Sequence, residues 1–231
     1  MLATLLPGFR HFRTPFAIGT ICALQLWLLF GKVIPAREEA HGFMRRAYSL
    51  GDMAGRPIVV SFIAFSLYLL GDVAKIQTVR VASLAARYLG PRFSPVSVRT
   101  YHALHELANR VDGDRDTFPS DFLNNVESEF PEIRMRLIAN HFDVYMEHDR
   151  LDSEAEFRVN ISLYSSPLWL SLSLMWSPWV LFGFIPSVVL FLHGIRALRE
   201  SNAILVQGLV AGLVESRNYN GEESRHHLHG G

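Results

Sequence analysis

Two groups of histidines and carboxylates hold the densest metal-ligating chemistry in this 231-residue chain. In HALHE, His102 and His105 stand one helical turn apart with Glu106 beside the second, and HFDVYMEHD supplies His141, Asp143 and His148. Imidazole and carboxylate groups at such spacings are ligands for zinc. The metalloprotease spacing HExxH is absent, however, and histidines scattered on helices more commonly pack or face solvent, so no metal ligand is assigned. The segment DGDRDTFPSDFL puts Asp112, Asp114 and Asp116 at the first, third and fifth positions of a calcium loop. The match then stops: Thr117 stands where the sharp turn needs glycine, and Leu123 where a bidentate glutamate is required. That stretch reads as a polar turn between helices. The tail RHHLHGG reads as a polar, disordered end.

Cys22 is the sole cysteine. It excludes an intrachain disulfide, and GTIC is a poor lipoprotein box, so it reads as a free thiol in an apolar segment. The sequence has no phosphate-cradling glycine loop, GxSxG elbow or CxxC pair. No catalytic or cofactor-binding residue is therefore expected, and the function expected is non-enzymatic.

The elements around these residues are set by the distribution of charge. Residues 14–31, 57–71 and 159–195 carry no formal charge, whereas 72–158 carry eleven basic and fifteen acidic side chains. Such segregation is that of membrane segments beside a water-facing region. A straight helix of the 37 residues 159–195 would extend about 55 Å, against about 30 Å for the hydrocarbon layer. Two spans turning at WSPW (176–179) fit better, because Pro178 disfavours helix at Ser177. The competing reading is one long helix kinked at Pro178 and Pro186; Trp176 and Trp179 weigh against it, since indoles gather at membrane interfaces. For the first segment the competing reading is a cleaved signal peptide, which ranks lower because a 13-residue leader precedes it and no small-x-small site follows. The segment 57–71, with 15 uncharged residues, is the weakest of the four spans.

The expected fold is thus an all-α integral membrane protein with four transmembrane helices, arranged as two hairpins flanking a helical cytoplasmic domain. Its parts are an N-terminal hairpin (1–72), a basic juxtamembrane segment (73–99), an acidic helical domain (100–158), a C-terminal hairpin (159–199), an apolar helix (200–216) and a disordered tail (217–231). Between 73 and 99 there are five basic residues and no acidic ones, which holds this side in the cytoplasm. With four spans, both termini are cytoplasmic and the location is the inner membrane. Lys32, Arg37, Arg45, Arg46 and Arg56 run against this rule, because they would lie outside.

In RVASLAARY, Val81, Leu84, Ala85 and Tyr88 share one helical face and Arg80, Ser83 and Arg87 the other. Lys75, Arg80, Arg87 and Arg92 are the expected contacts to anionic lipid head groups, the alternative being an ordinary solvated helix. Residues 100–158 carry six basic and fourteen acidic side chains. Helices are expected at YHALHELANR, at SDFLNNVESEF with Ser120 or Asp121 as cap, and from Pro131 onward, where a long helix can run into the third span. The last apolar run, 202–214, is too short to cross, and Gly208 with Gly212 forms a small-xxx-small step for helix packing. Its burial points to intramolecular packing or to a homo-oligomer or membrane-protein partner; lipid is the other expected partner, and nucleic acid is not. The runner-up function is a small oligomeric channel or transport subunit. Arginine outnumbers lysine twenty to two, which hints at a GC-rich bacterial genome.

Overall fold

The computed structural model describes residues 7–98, 100, 102–103 and 120–214. Among the described residues the chain is helical, with no strand. Its helices are α1 (Pro7–Phe30), α2 (Phe43–Ala54), α3 (Arg56–Ala74), α4 (Thr78–Leu89), α5 (Ser120–Asn140), α6 (Phe142–Met175) and α7 (Phe184–Val210). Three stretches are long and apolar enough to cross a membrane: His11–Val33, Arg56–Ala74 and Pro178–Val210.

The third of the four expected spans, the end of α6 from residue 159, is not among these three. The physical reason lies in its sequence: Asn160, Tyr164 and the serines at 162, 165, 166, 171 and 173 lower its hydropathy although it carries no charge. Helix α6 ends at Met175, the backbone is extended at Ser177, and a 3-10 turn takes over at Pro178–Gly183. The chain therefore leaves the α-helix at WSPW, where Pro178 cannot donate a hydrogen bond.

Two expectations about helices are corrected. No helix starts at Pro131: α5 begins at Ser120 and passes through that proline. The break falls instead at His141, and α6 then runs unbroken to Met175. Residues 202–210 form no separate helix but are the last turns of α7. Helix α2 lies within the N-terminal hairpin region, where the sequence pattern predicts no helix between the two spans.

The chain divides into two compact units, Met1–Thr78 with Glu156–Gly194, and Val79–Ala155 with Ile195–Gly231. In the first, α1 and α3 pack at backbone distance. A Cβ on Gly19 would collide with the Leu67 carbonyl, and one on Gly71 with the Pro15 carbonyl. These pairs run in opposite chain directions, so the two helices are antiparallel. The ends of α6 and α7 pair likewise: Ser165 meets Ser187 at 2.8 Å, Trp169 closes on Gly183, and a Cβ at Gly194 would stand 2.7 Å from Val159 Cγ2.

Burial in this unit is reversed from that of a water-soluble core. Thr14, Asn160, Ser162, Ser165 and Ser187 are buried alongside Ile18 and Val159, whereas Trp27, Phe62, Phe65, Leu174, Phe182 and Ile185 are exposed. The second unit follows the usual rule, with Ile133, Leu137, Leu205 and Val214 at its centre and Phe130, Val144, Tyr145 and Leu209 packed around them.

Candidate functional site

Within the first unit, the polar groups concentrate where α3 ends. A helix terminus leaves carbonyls without intrahelical partners, and α6 supplies the partners here. The Asn160 side chain, wholly buried, accepts a hydrogen bond from the Ile76 N–H (3.0 Å) and donates to the Ile76 carbonyl (3.1 Å) and to that of Glu156 (2.9 Å). The Tyr164 hydroxyl donates to the Ala74 carbonyl, while Gln25 of α1 donates to the Tyr164 carbonyl at 2.7 Å. Lys75 pairs with Glu156 at 2.8 Å, and the Arg13 guanidinium lies 4.1 Å from the centre of the Phe157 ring. The start of α1, the end of α3 and residues 156–160 of α6 thus meet at one level. Every polar atom of the Asn160 amide is engaged with backbone, so the arrangement fastens helices and leaves no group free for chemistry.

The second unit holds a buried histidine, His148 of HFDVYMEHD. His148 Nδ1 lies 2.7 Å from Ser201 Oγ and 3.1 Å from the Ser201 carbonyl, and Ser201 Oγ donates back to the His148 carbonyl at 3.2 Å. A carbonyl can only accept, which assigns the proton to Nδ1 and leaves a lone pair on Nε2. That Nε2 is buried and without a partner among the described residues, as is the Nε of Arg134. Burial, reinforced by the Arg134 charge, pushes the His148 pKa down, against the Ser201 carbonyl and the carboxylates of Asp152 and Asp149. The neutral imidazole is the stable form, and it acts as a bridge between α6 and α7. A serine beside a histidine suggests a nucleophile, but Ser201 is itself buried and bonded to the backbone, so no substrate atom can reach it.

The other sequence candidates disperse. His141 and Asp143 sit at the start of α6, a turn or more from His148. His102 is described, whereas His105, Glu106, Asp112, Asp114 and Asp116 lie outside the described residues. Among the described residues no three His, Cys, Asp or Glu side chains gather as a metal would require. A cavity of about 290 Å³ in the second unit is lined by Ser97, Thr100, Arg199, Glu200 and Gln207. Arg199, its cation among the described residues, is already committed, because it donates to the carbonyls of Ser94 (2.8 Å), Pro91 (3.3 Å) and Arg92.

Of the residues expected at lipid, Arg80, Arg87 and Arg92 are exposed, and Lys75 is the one paired with Glu156. The faces of α4 differ from the sequence reading. Ala82 is fully buried, while Leu84 and Tyr88 lie outward in company with Arg80 and Arg87. Small alanines allow close packing on the inner side and leave the larger apolar groups outside. Gly208 and Gly212 do not make a common helical face. Gly208 faces Leu137, with the methyl group 3.7 Å from where its Cβ would be. Gly212 lies past the helix end with φ +69°, where the Gly212 and Leu213 amides donate to the carbonyls of Leu209 and Gly208. That pattern is a glycine-terminated helix cap, a role only a residue tolerant of positive φ fills readily. Leu205 and Val206 are likewise buried, so much of the apolar run is covered by the chain itself.

The close-packing glycines are instead Gly19 and Gly71, which the sequence reading passed over. Their signal was a small residue inside an otherwise bulky apolar run. No protein-family model matches this chain, and neither curated proteins nor solved structures give a match.

Proposed function

We propose that this chain is a non-enzymatic, multi-pass protein of a bacterial inner membrane that presents a cytoplasmic helical unit to a partner. The observation that carries this reading is the reversed burial of the first unit, with apolar side chains outward and hydroxyls and amides inward. Such a surface is stable only in an apolar solvent. Four crossings are supported by length. Residues 159–175 rise about 25 Å as α-helix, and residues 178–195 rise about 30 Å with their 3-10 start. They are supported also by the common level of Arg13, Lys75, Glu156 and Asn160, which sits at alternate ends of successive spans. Both termini and the second unit are then cytoplasmic.

Two surfaces define its contacts. On α4, which follows α3 after three residues, Arg80 and Arg87 with Leu84 and Tyr88 suit an anionic lipid surface, and Arg92 adds to the charge. Across α5 and the start of α6, Met135, Ile138 and Phe142 are exposed at helical spacing, which suits a protein partner. The pore reading finds no matching observation, because the buried hydroxyls of Ser165 and Ser187 bond to each other and to Trp169. A photoreactive amino acid placed at Met135 of the full chain in cells is expected to capture another polypeptide, and one at Tyr88 to capture lipid. Lipid adducts alone at Met135 would remove the display role, and protein adducts alone at Tyr88 the lipid contact.

A further inference from the structure

Helix α2 connects to α3 through Gly55 alone, whose φ of +78° turns the chain between them. It returns beside the start of α3, where a Cβ built on Gly51 would stand 3.8 Å from Val59 Cγ2. Its inner side, Met44, Tyr48 and Gly51, is partly buried. Its outer side is apolar and uncovered: Phe43 is 81% exposed, Leu50 60% and Met53 79%, with Ala47 between them. On a helical wheel these four fall within about a third of the circumference, with Arg46 between Leu50 and Met53, while Arg45 and Asp52 lie on the arc opposite and Ser49 stands between that arc and Met53. Asp52 is neutralised by Arg37, so the helix as folded presents Arg45 and Arg46 as excess positive charge.

We infer that α2 is an interfacial helix lying in the bilayer surface on the side reached by residues 31–55, with Phe43, Leu50 and Met53 in the acyl boundary and Arg46 reaching the lipid phosphates. The inference rests on the reading of α3 as a membrane span. Given that span, one residue of tether and the contact at Val59 hold α2 at the depth where α3 enters the bilayer. Ile58, Val60 and Phe62 at the start of α3 are exposed as well, so apolar side chains are uncovered on both helices where they join. A twelve-residue helix with apolar and basic edges is the composition that binds such an interface. It also accounts for basic residues on the non-cytoplasmic side. The positive-inside rule concerns free loops, whereas these arginines belong to a helix bound to lipid phosphates.

The test uses the full-length protein in phosphatidylcholine/phosphatidylglycerol liposomes, with Cys22→Ser as background and single spin labels introduced as Phe43→Cys, Leu50→Cys, Met53→Cys, Arg45→Cys and Ser49→Cys. A label at Phe65→Cys, in the middle of α3, reports the span itself. Collision with oxygen, which partitions into lipid, is compared with collision with a water-soluble nickel chelate. Labels at 43, 50 and 53 are expected to shift toward oxygen and those at 45 and 49 toward nickel. Equal nickel access around the whole helix, with Phe65 in lipid, overturns the inference and leaves the membrane reading standing. Loss of access to both reagents with broadening between labels means that a second copy covers the strip, which also overturns it. Nickel access at Phe65 overturns the membrane reading, and the inference falls with it.

Discussion

His148 shows how a single side chain acquires a role that its spacing does not foretell. Its imidazole joins α6 to α7 through Ser201, and its pKa lies below the ordinary 6.5, chiefly because it is buried and then because of Arg134. The unfolded chain therefore takes up a proton before the folded one does as the pH falls. Where the unfolded state binds more protons, stability rises with pH. The contribution of this residue is full above about pH 6.5 and is lost as the pH drops from there toward the lowered folded value. Beyond burial, Arg134 lowers it while the Ser201 carbonyl and the carboxylates of Asp152 and Asp149 raise it; the Tyr145 ring packs against the imidazole. His148→Asn keeps a donor for Ser201 but cannot titrate. It should cost about 1–3 kcal/mol at neutral pH and flatten the fall in stability below pH 6.5. Thermal melts of both proteins in one detergent across a pH series read the difference; the same acid slope in the variant would mean that His148 does not titrate on unfolding.

Among the elements, the α1 and α3 pair depends on two missing side chains. Replacing a helical glycine with alanine ordinarily stabilises by about 0.5–1 kcal/mol, because the unfolded chain loses freedom. At Gly19 and Gly71 the sign should reverse, since the new Cβ would meet the carbonyl oxygens of Leu67 and Pro15, which are backbone and cannot swing aside. Gly19→Ala and Gly71→Ala are each expected to lose about 1–3 kcal/mol, the range of overpacked cores. Gly51→Ala on α2 provides the comparison, as its Cβ would meet only Val59 at ordinary contact distance. Unfolding in graded denaturing detergent should rank Gly51→Ala at or above the parent and the other two below it. Parity among all three variants would show that α1 and α3 do not approach as closely as described.

At the scale of the whole molecule, the layout is a matter of where each charged stretch ends. An even number of crossings keeps the basic stretch 73–99, the acidic region and both termini on one side. Reporter fusions after Gly90, Asp149 and Glu223 should therefore report cytoplasm, and one after Ala40 the opposite side. An outward report after Glu223 together with an inward one after Asp149 would leave an odd number of crossings and discard the second hairpin. The proposed interfacial role of α2 bears on the same question, because it would give Arg45 and Arg46 a lipid contact that does not oppose this orientation.

The helical class, three of the four expected spans and the helix break at WSPW are legible in the sequence, because hydropathy and the missing proline donor act locally and can be read without neighbours. The sequence misplaced the helix start at Pro131 for a related reason: local preference favours proline in a first turn but does not forbid it inside a helix that packing supports. Helix α2 was legible in principle from Phe43, Ala47, Leu50 and Ala54, yet its polar half keeps the average hydropathy low, so a search for apolar runs passes over it. Contacts across long separations follow from helix packing alone. Asn160 meets Ile76, Gly71 meets Pro15 and Ser201 meets His148. Packing also separates Gly208, which faces Leu137, from Gly212, which ends the helix with positive φ. Spacing along a chain fixes neighbours one turn away, whereas which small or polar residue finds a partner 50 to 90 positions distant is set by how the helices pack.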